Sequence, residues 1–343
     1  MSFNRISQED FVVSSDSVTA TLWSEGVVGL SSFYTSSIQE ISSAGLFYLN
    51  VYNSDLSAIQ FAVAYGNKNG SGSAYYNDVV PYVSPTKSTY AQYQNLIIGD
   101  ENTDFTFGTI VSSEFWVLSM DRTRYKESLF PGSLSLILSG SSGQLTLTDN
   151  SLIAPTVVFN DAGRVYQIVS GSQGTVYTGV NANGYSLSSG SYGWFLPDIG
   201  TILLNPQAIS QSISLNSSQS NDSDGYNNRK LFNAISGGAS FFLNSQETIS
   251  SDYIFIRARN AEFNYSENPS YISGSTGEVL YNSFINNPQT YITTIGMYND
   301  NNELLAVAKL SRPLLKDFTK EALVRVKLDF WFWLMFLYIV YKK

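Results

Sequence analysis

The chain of 343 residues contains no cysteine and no histidine. Without a thiol or an imidazole it can form no disulfide, no cysteine nucleophile, no Ser-His-Asp triad and no ordinary zinc, haem or iron–sulfur site. Carboxylate-only catalysis, as in glycosidases, is the enzyme class that this composition leaves open. Because no motif pairs two carboxylates, we expect a non-enzymatic protein with neither catalytic residues nor a cofactor.

Charged residues are also scarce, at 14% of the chain, against about 25% in a typical soluble domain. There are 28 acidic and 19 basic residues, which gives a formal net charge of -9. Binding to a phosphate backbone needs a clustered positive field, and the basic residues here are dispersed. We therefore expect no nucleic-acid partner.

The residues that are abundant favour β structure. The chain is rich in serine and carries 23 Tyr, 21 Phe and 25 Gly, whereas helical proteins usually carry more Glu, Lys and Ala. The composition predicts a mainly β fold with a few short helices. We expect antiparallel sheets or sandwich-like units with long Ser/Gly/Asn loops.

Changes in composition divide the chain into five segments. The first is an extended N-terminal arm that needs neighbours to stay ordered, and it has no apolar run behind Arg5 that would make it a secretory signal. The predicted segments are the arm at 1–45, a β-rich domain at 46–150, a loop-rich β region at 151–250 with a mobile tract at 210–230, a C-terminal β-hairpin unit at 251–330, and an aberrant aromatic tail at 331–343.

Local patterns predict several elements. Tyr90, Tyr93, Leu96 and Ile97 follow a helical spacing that starts at Thr86 or Ser88. The Gly-Ser-Ser-Gly sequence at 140–143 predicts a hairpin between strands at 133–139 and 144–148.

A second hairpin is predicted near the C-terminus, where residues 299–302 join strands at 291–298 and 303–310. We expect Pro313 to end that ladder and residues 317–321 to make one helical turn. Val324, Val326, Leu328 and Phe330 alternate with charged residues, which predicts a half-buried strand that completes a sheet with the hairpin.

The aromatic tail has two interpretations. The uncharged run from Phe330 to Tyr341 would reach about 18 Å as a helix, short of the ~30 Å hydrocarbon core of a bilayer. The segment from Trp331 to Tyr341 could insert at a membrane surface with Lys342 and Lys343 at the interface. We favour a product of frame slippage or read-through, because the run begins inside a predicted strand and not behind a linker.

Asp222 and Asp224, followed by Gly225, are weak candidates for cation ligands. A calcium loop of the EF-hand type needs a glutamate at its twelfth position, and counting from Asp222 that position is Asn233. The alternative is a solvated loop tip, which we favour. We therefore assign no metal site.

Aromatic and basic clusters are the candidate interaction residues. Tyrosine and tryptophan give a large contact area at low entropic cost, so such rings serve as interface anchors, glycan platforms or core. Two arginines two positions apart lie on one face of a strand. They could form salt bridges to an acidic neighbouring subunit, or they could lie in solvent at the edge of a sheet. The candidates are Tyr192, Trp194, Phe195, Phe263, Tyr265, Tyr271, Arg257 and Arg259.

Five blocks in the C-terminal part of the chain form a recognisable pattern. They are residues 263–271, Asn286-Asn287-Pro288, residues 291–300, residues 304–313 and residues 324–330. In these blocks the chain resembles structural proteins of large contractile-tailed bacteriophages. The resemblance implies a tail or baseplate component of the virion, assembled in the host cytoplasm, with other virion proteins or further copies of itself as partners. It offers no catalytic residues to transfer.

Two other functions remain open. One is a receptor- or glycan-binding tail fibre or adhesin that uses the Tyr/Trp loops. The other is a glycosidase that works with carboxylates alone. We expect no membrane attachment other than through the tail.

Overall fold

The structure is a computed structural model that describes residues 8–35, 48–53, 58–70, 85–177, 190–217, 226–265, 269–299, 301–330 and 340–342. The fold is mainly β, with antiparallel sheets and short helices, which confirms the fold class expected from the sequence. The chain forms two compact units. We call residues 18–247 the larger unit, and residues 1–17 together with 248–343 the smaller unit.

The strands in chain order are β1 (Phe11–Thr21), β2 (Gly29–Leu30), β3 (Tyr34–Thr35), β4 (Leu49–Tyr52), β5 (Ile59–Asn67), β6 (Phe105–Phe107), β7 (Ile110–Ser112), β8 (Glu114–Met120), β9 (Ser128–Leu129), β10 (Ser135–Gly140), β11 (Gly143–Asp149), β12 (Val158–Asn160), β13 (Gly163–Ser172), β14 (Thr175–Val176), β15 (Gly193–Leu196), β16 (Thr201–Leu204), β17 (Phe241–Phe242), β18 (Asn244–Ala258), β19 (Thr290–Tyr298), β20 (Leu304–Lys316), β21 (Ala322–Phe330) and β22 (Val340–Lys342). The helices are α1 (Thr86–Ile97), α2 (Pro206–Ile213), α3 (Tyr226–Gly238) and α4 (Asn282–Asn286).

The larger unit is built on a 13-stranded sheet in the order β2-β17-β10-β11-β13-β15-β16-β8-β5-β4-β3, with β12 and β14 paired to β13. Its central strands are apolar on both sides. In β8, Trp116 and Leu118 pack into one core cluster, whereas Phe115 and Val117 pack into another. The uninterrupted apolar run is explained by burial of both faces of the strand.

Helices cover the two faces of this sheet. Tyr90 and Ile97 of α1 belong to the cluster on one face, and residues of α2 and α3, among them Ile209 and Leu231, belong to the cluster on the other.

The helix predicted from Thr86 is confirmed. The predicted hairpin at 140–143 is also confirmed, with its two flanking strands, and Gly140 pairs with Gly143.

The tract at 210–230 was predicted to be mobile, but helices occupy both of its ends. α2 begins after Asn205, whose side chain accepts a hydrogen bond from the Gln207 N–H, with Pro206 at its first position. α3 buries Leu231, Ala234 and Ile235, which share one helical face. Few apolar residues suffice here because the sheet supplies the other half of the packing.

The smaller unit contains two sheets. One has the order β1-β18-β21, and the other has the order β20-β19-β22. Ile254 and Val326 of the first sheet form a small core with Ile295 and Met297 of the second. The division between the two units falls after Ser17 in β1 and before Thr248 in β18.

The predicted hairpin between β19 and β20 is confirmed, but three neighbouring predictions were wrong. β20 continues past Pro313, because the register shifts between the Thr294–Lys309 and Ile292–Leu314 pairs and leaves the proline in a bulge. Residues 317–320 form a turn with no helix, closed by a hydrogen bond from the Lys320 N–H to the Asp317 carbonyl. β21 alternates in burial as expected, but it pairs with β18 and not with the hairpin.

The predicted N-terminal arm is extended in part. Residues 11–21 form β1, but Leu22, Trp23, Leu30 and Phe33 are buried in the core of the larger unit of the same chain. In the predicted aromatic tail, residues 331–339 lie outside the described residues. The described part is β22, which pairs with residues 296–298 of β19.

Candidate interaction surface

The smaller unit exposes more large apolar side chains than it buries. Its buried apolar residues, within the part of the unit that the structure describes, are Ile254, Ala258, Ile295, Met297, Ala322 and Val326. Its exposed large apolar residues are Val12, Val13, Tyr265, Tyr271, Leu280, Tyr281, Ile285, Tyr291, Leu304, Leu305, Val307, Phe318 and Leu323. In the described part of the larger unit the balance is the opposite, since many more apolar side chains are buried there than exposed.

Part of this surface is a groove with a volume of about 630 Å³. It lies between the loop at 261–265, the segment of α4, and the turn that follows β20. Four aromatic rings line it, together with aliphatic side chains and a single carboxylate. The lining residues are Ala261, Glu262, Phe263, Asn264, Tyr265, Val279, Phe284, Ile285, Pro288 and Phe318.

A buried lysine fixes the loop that forms one wall of the groove. Lys316 is 0% exposed. Its ammonium group donates to the Asn260 carbonyl at 3.0 Å, to Asn264 Oδ1 at 3.0 Å and to the Asp317 carbonyl at 2.8 Å. These three bonds use all three donors of the ammonium group. Lys316 therefore ties the end of β20 to the loop that carries Phe263 and Tyr265.

The loop is also held by its own turn. The Arg259 N–H donates to Glu262 Oε2 at 2.9 Å, and the Glu262 N–H donates to the Arg259 carbonyl at 3.0 Å. Phe263 then adopts a left-handed φ of 56°, and its carbonyl accepts a hydrogen bond from the Thr290 hydroxyl. A non-glycine residue in this region is uncommon, which indicates that the surrounding contacts determine the turn.

Next to the groove, the segment at 271–284 presents further rings. Tyr271 packs against Phe284 at a centroid distance of 5.4 Å and against Tyr281 at 6.1 Å. Tyr265, Tyr281 and Phe318 are each more than half exposed, at 54%, 54% and 56%. Tyr271 therefore packs against two neighbouring rings, while Tyr265, Tyr281 and Phe318 stay open to solvent.

Few charged groups lie at or beside the groove. Hydrogen bonds from the backbone and hydroxyl of Thr319 lower the pKa of Asp317, so its carboxylate stays charged beside Lys316. Hydrolysis by two carboxylates requires a second acid facing the first. Among the described lining residues of the groove, Glu262 is the one carboxylate, and the other side chains are mostly aromatic or aliphatic.

The sequence-predicted residues fall into two groups. Phe263 and Tyr265 line the groove, Tyr271 lies beside it, and Arg257 and Arg259 are exposed at the end of β18 and just after it. The other predicted rings lie in the larger unit. Phe195 is fully buried, Trp194 packs against Phe105 and Phe107, and Tyr192 is half-buried with its hydroxyl 2.8 Å from Ser212.

The predicted cation ligands Asp222 and Asp224 lie outside the described residues. Within the described ranges, no group of three or more carboxylates is arranged to hold a metal ion. Lys316, Phe318 and Ile285 were not predicted. In a strand where apolar and polar residues alternate, a lysine is predicted to face solvent. Nothing in the sequence therefore indicated that Lys316 would be buried.

Comparison of the chain with known protein families, with curated proteins and with solved structures finds no match. Among the residues that the structure describes, none of the helices is both long enough and apolar enough to cross a bilayer.

Proposed function

We propose that this chain is a non-enzymatic structural subunit of a phage tail or baseplate, which acts through interfaces with other subunits. The observation that carries the proposal is the excess of exposed over buried large apolar side chains in the described part of the smaller unit. Monomeric proteins rarely leave a wide apolar surface in water, whereas assembly subunits keep such a surface for their neighbours.

The kind of particle is proposed from the resemblance. Five blocks between residues 263 and 330 resemble structural proteins of large contractile-tailed phages, and they include Phe263, Asn264, Tyr265 and Pro288 of the groove. On this proposal the protein is located in the virion, and its partners are other virion proteins or further copies of itself. Specificity would come from the polar and charged rim around the apolar centre.

Mass spectrometry of purified virions tests this function. We expect the chain to be a stoichiometric component of the particle, and the purified chain to form a stable oligomer or a complex with another virion protein. A chain that is absent from the particle, stays monomeric and binds none of the virion proteins would overturn the proposal.

A second function is favoured by one observation, the open ring faces of Tyr265, Tyr271 and Tyr281 beside the groove. Aromatic faces flanked by polar side chains can stack on sugar rings, so the groove could recognise a glycan of the host surface. A glycan array tests this by comparing the wild type with Tyr265→Ala, which removes one of the rings. Saturable binding that the substitution abolishes supports glycan recognition, and an array without hits removes it.

A further inference from the structure

The first strand of the chain is an unprotected sheet edge. β1 is 11 residues long and lies at one end of the β1-β18-β21 order, so no described strand pairs with its outer edge. Every residue of the strand after Phe11 is exposed, on both faces, including Val12, Val13 and Val18. A long edge of this kind can accept an added strand through its backbone groups.

The opposite edge of the same sheet is protected. In β21, three of the four exposed positions between Ala322 and Phe330 carry charged side chains, Arg325, Lys327 and Asp329, and the fourth is Leu323. Charged side chains on an edge hinder the addition of a further strand. β1 contains no lysine, arginine or proline, and its one charge is Asp16. The difference between the edges indicates that β1 is kept open for a partner.

The sequence of β1 fits a second copy of itself. When two identical antiparallel strands pair around a two-fold axis, opposite residues have numbers with a constant sum. With Ser15 on the axis, Val12 lies opposite the partner subunit's Val18, and Ser14 lies opposite the partner subunit's Asp16. Moving the axis to Asp16 would place two carboxylates opposite each other, which is destabilising. Charge therefore selects the pairing centred on Ser15.

We propose that two copies of the chain associate by antiparallel pairing of their β1 strands around Ser15, which joins their β1-β18-β21 sheets into one continuous sheet. The proposal rests on the proposed structural function and names a partner for it, a second copy of this chain. Main-chain hydrogen bonds between the two strands supply the affinity, and the Val12–Val18 contacts and the separation of the Asp16 carboxylates set the register.

Because the chain has no cysteine, a single introduced thiol reports this contact without background. Opposite Cα atoms in antiparallel strands are about 4.5–5.5 Å apart, within the range that a disulfide spans. Ser15→Cys therefore forms a disulfide-linked dimer on mild oxidation of the full-length chain, measured by non-reducing electrophoresis. The matched control is Ser17→Cys on the same face of the strand. Its two thiols lie four residues apart along the strand, about 14 Å, and do not cross-link.

A second pair of variants tests the register by charge. Ser15→Lys places two ammonium groups opposite each other on the axis, and we expect it to raise the dimer dissociation constant at least tenfold in sedimentation velocity. Ser14→Lys adds the same side chain one position away, opposite the partner's Asp16, and leaves the dimer intact or tightens it. Both positions are exposed in the single chain, so folding is not affected.

Equal cross-linking of the two cysteine variants, or none in either, overturns the pairing. So does equal behaviour of the two lysine variants. If the chain assembles or binds a virion protein while Ser15→Cys remains uncross-linked, the β1 pairing is wrong and the proposed function stands. If the chain is absent from the particle, monomeric and without a virion partner, both are overturned.

Discussion

At the scale of single residues, Lys316 is the group on which the groove depends. Replacing it by methionine keeps the volume of the side chain but leaves the Asn260 and Asp317 carbonyls and Asn264 Oδ1 without their donor. A buried acceptor that loses its partner costs about 1–3 kcal/mol. We expect Lys316→Met to lower the free energy of unfolding by roughly that amount in urea titration and to accelerate amide exchange in residues 260–265.

The control for this prediction is Lys309→Met, which removes the same charge from an exposed position of the same strand, β20. We expect it to leave the free energy of unfolding and the amide exchange of the loop unchanged. Equal effects of the two substitutions would mean that Lys316 does not hold the loop.

A second residue-scale prediction concerns pH. Burial acts to raise the pKa of Asp198, but hydrogen bonds from Arg164 outweigh it and hold the pKa below its usual value. The Arg164 guanidinium reaches Asp198 Oδ1 at 2.5 Å, and the Arg164 N–H reaches Oδ2 at 2.7 Å. Because the pKa is lower in the folded state, the ion pair stabilises the fold at neutral pH. That stabilisation is lost as the pH falls below about 4 and through the folded pKa.

Asp198→Asn removes this acid dependence. Between pH 6 and pH 3, the free energy of unfolding of the wild type should fall by about 1 kcal/mol more than that of the variant, since the pair is partly exposed and partly screened. Asp161→Asn, at an exposed position in the turn before Arg164, is the control and should follow the wild-type profile. Parallel profiles for Asp198→Asn and the wild type would contradict this role.

At the scale of elements, the β19–β20 hairpin depends on its turn. Asn302 has a left-handed φ of 62°, and Asn299 Oδ1 accepts hydrogen bonds from the N–H groups of Asn301 and Glu303. Glycine adopts this φ freely and a β-branched residue does not. Asn302→Gly should keep or slightly raise the thermal midpoint, whereas Asn302→Val should lower the free energy of unfolding by about 1–2 kcal/mol. Equal stability of the two variants would show that the turn is not held in this conformation.

The same hairpin shows what local sequence can predict. Its turn residues and the alternation of its strands are adjacent in the chain, as are those of the hairpin at 140–143, and both were predicted correctly. The helix α3 was not predicted, because its apolar face is short and is completed by a sheet formed from distant residues. The partner of β21 was not predicted either, since alternation fixes which face is buried and not which strand lies alongside.

The candidate site was predictable to a similar degree. The aromatic loop with Phe263, Tyr265 and Tyr271 was recognised from its composition, and two of these rings line the groove. Trp194 and Phe195 lie in a similarly aromatic segment, but this segment is strand β15 of a sheet that is covered on both faces. Trp194 is therefore half-buried and Phe195 is buried. Burial is decided by tertiary packing, which a local window of sequence does not contain.

At the scale of the whole molecule, the side chains that stabilise the fold differ from those proposed to contact other subunits. Phe318 is 56% exposed on the smaller unit, and Phe159 is 69% exposed on the larger unit. Phe318→Ser should leave the free energy of unfolding within about 0.5 kcal/mol of the wild type, as for other surface substitutions. We expect it to weaken the complex with virion proteins at least tenfold, because a buried aromatic anchor dominates an interface.

Phe159→Ser makes the same chemical change outside the smaller unit and should alter neither stability nor binding. The measurements are urea titration and the dissociation constant of the complex. If the two variants bind equally well, Phe318 is not part of the interface.

Hydroxyl-radical footprinting of the isolated chain and of the purified particle tests whether neighbours cover the apolar surface of the smaller unit. We expect Tyr265, Tyr281 and Phe318 to react readily in the isolated chain and to become several-fold less reactive in the particle, while the reactivity of the buried Phe195 stays low in both. Unchanged reactivity of these three rings in the particle would contradict this expectation.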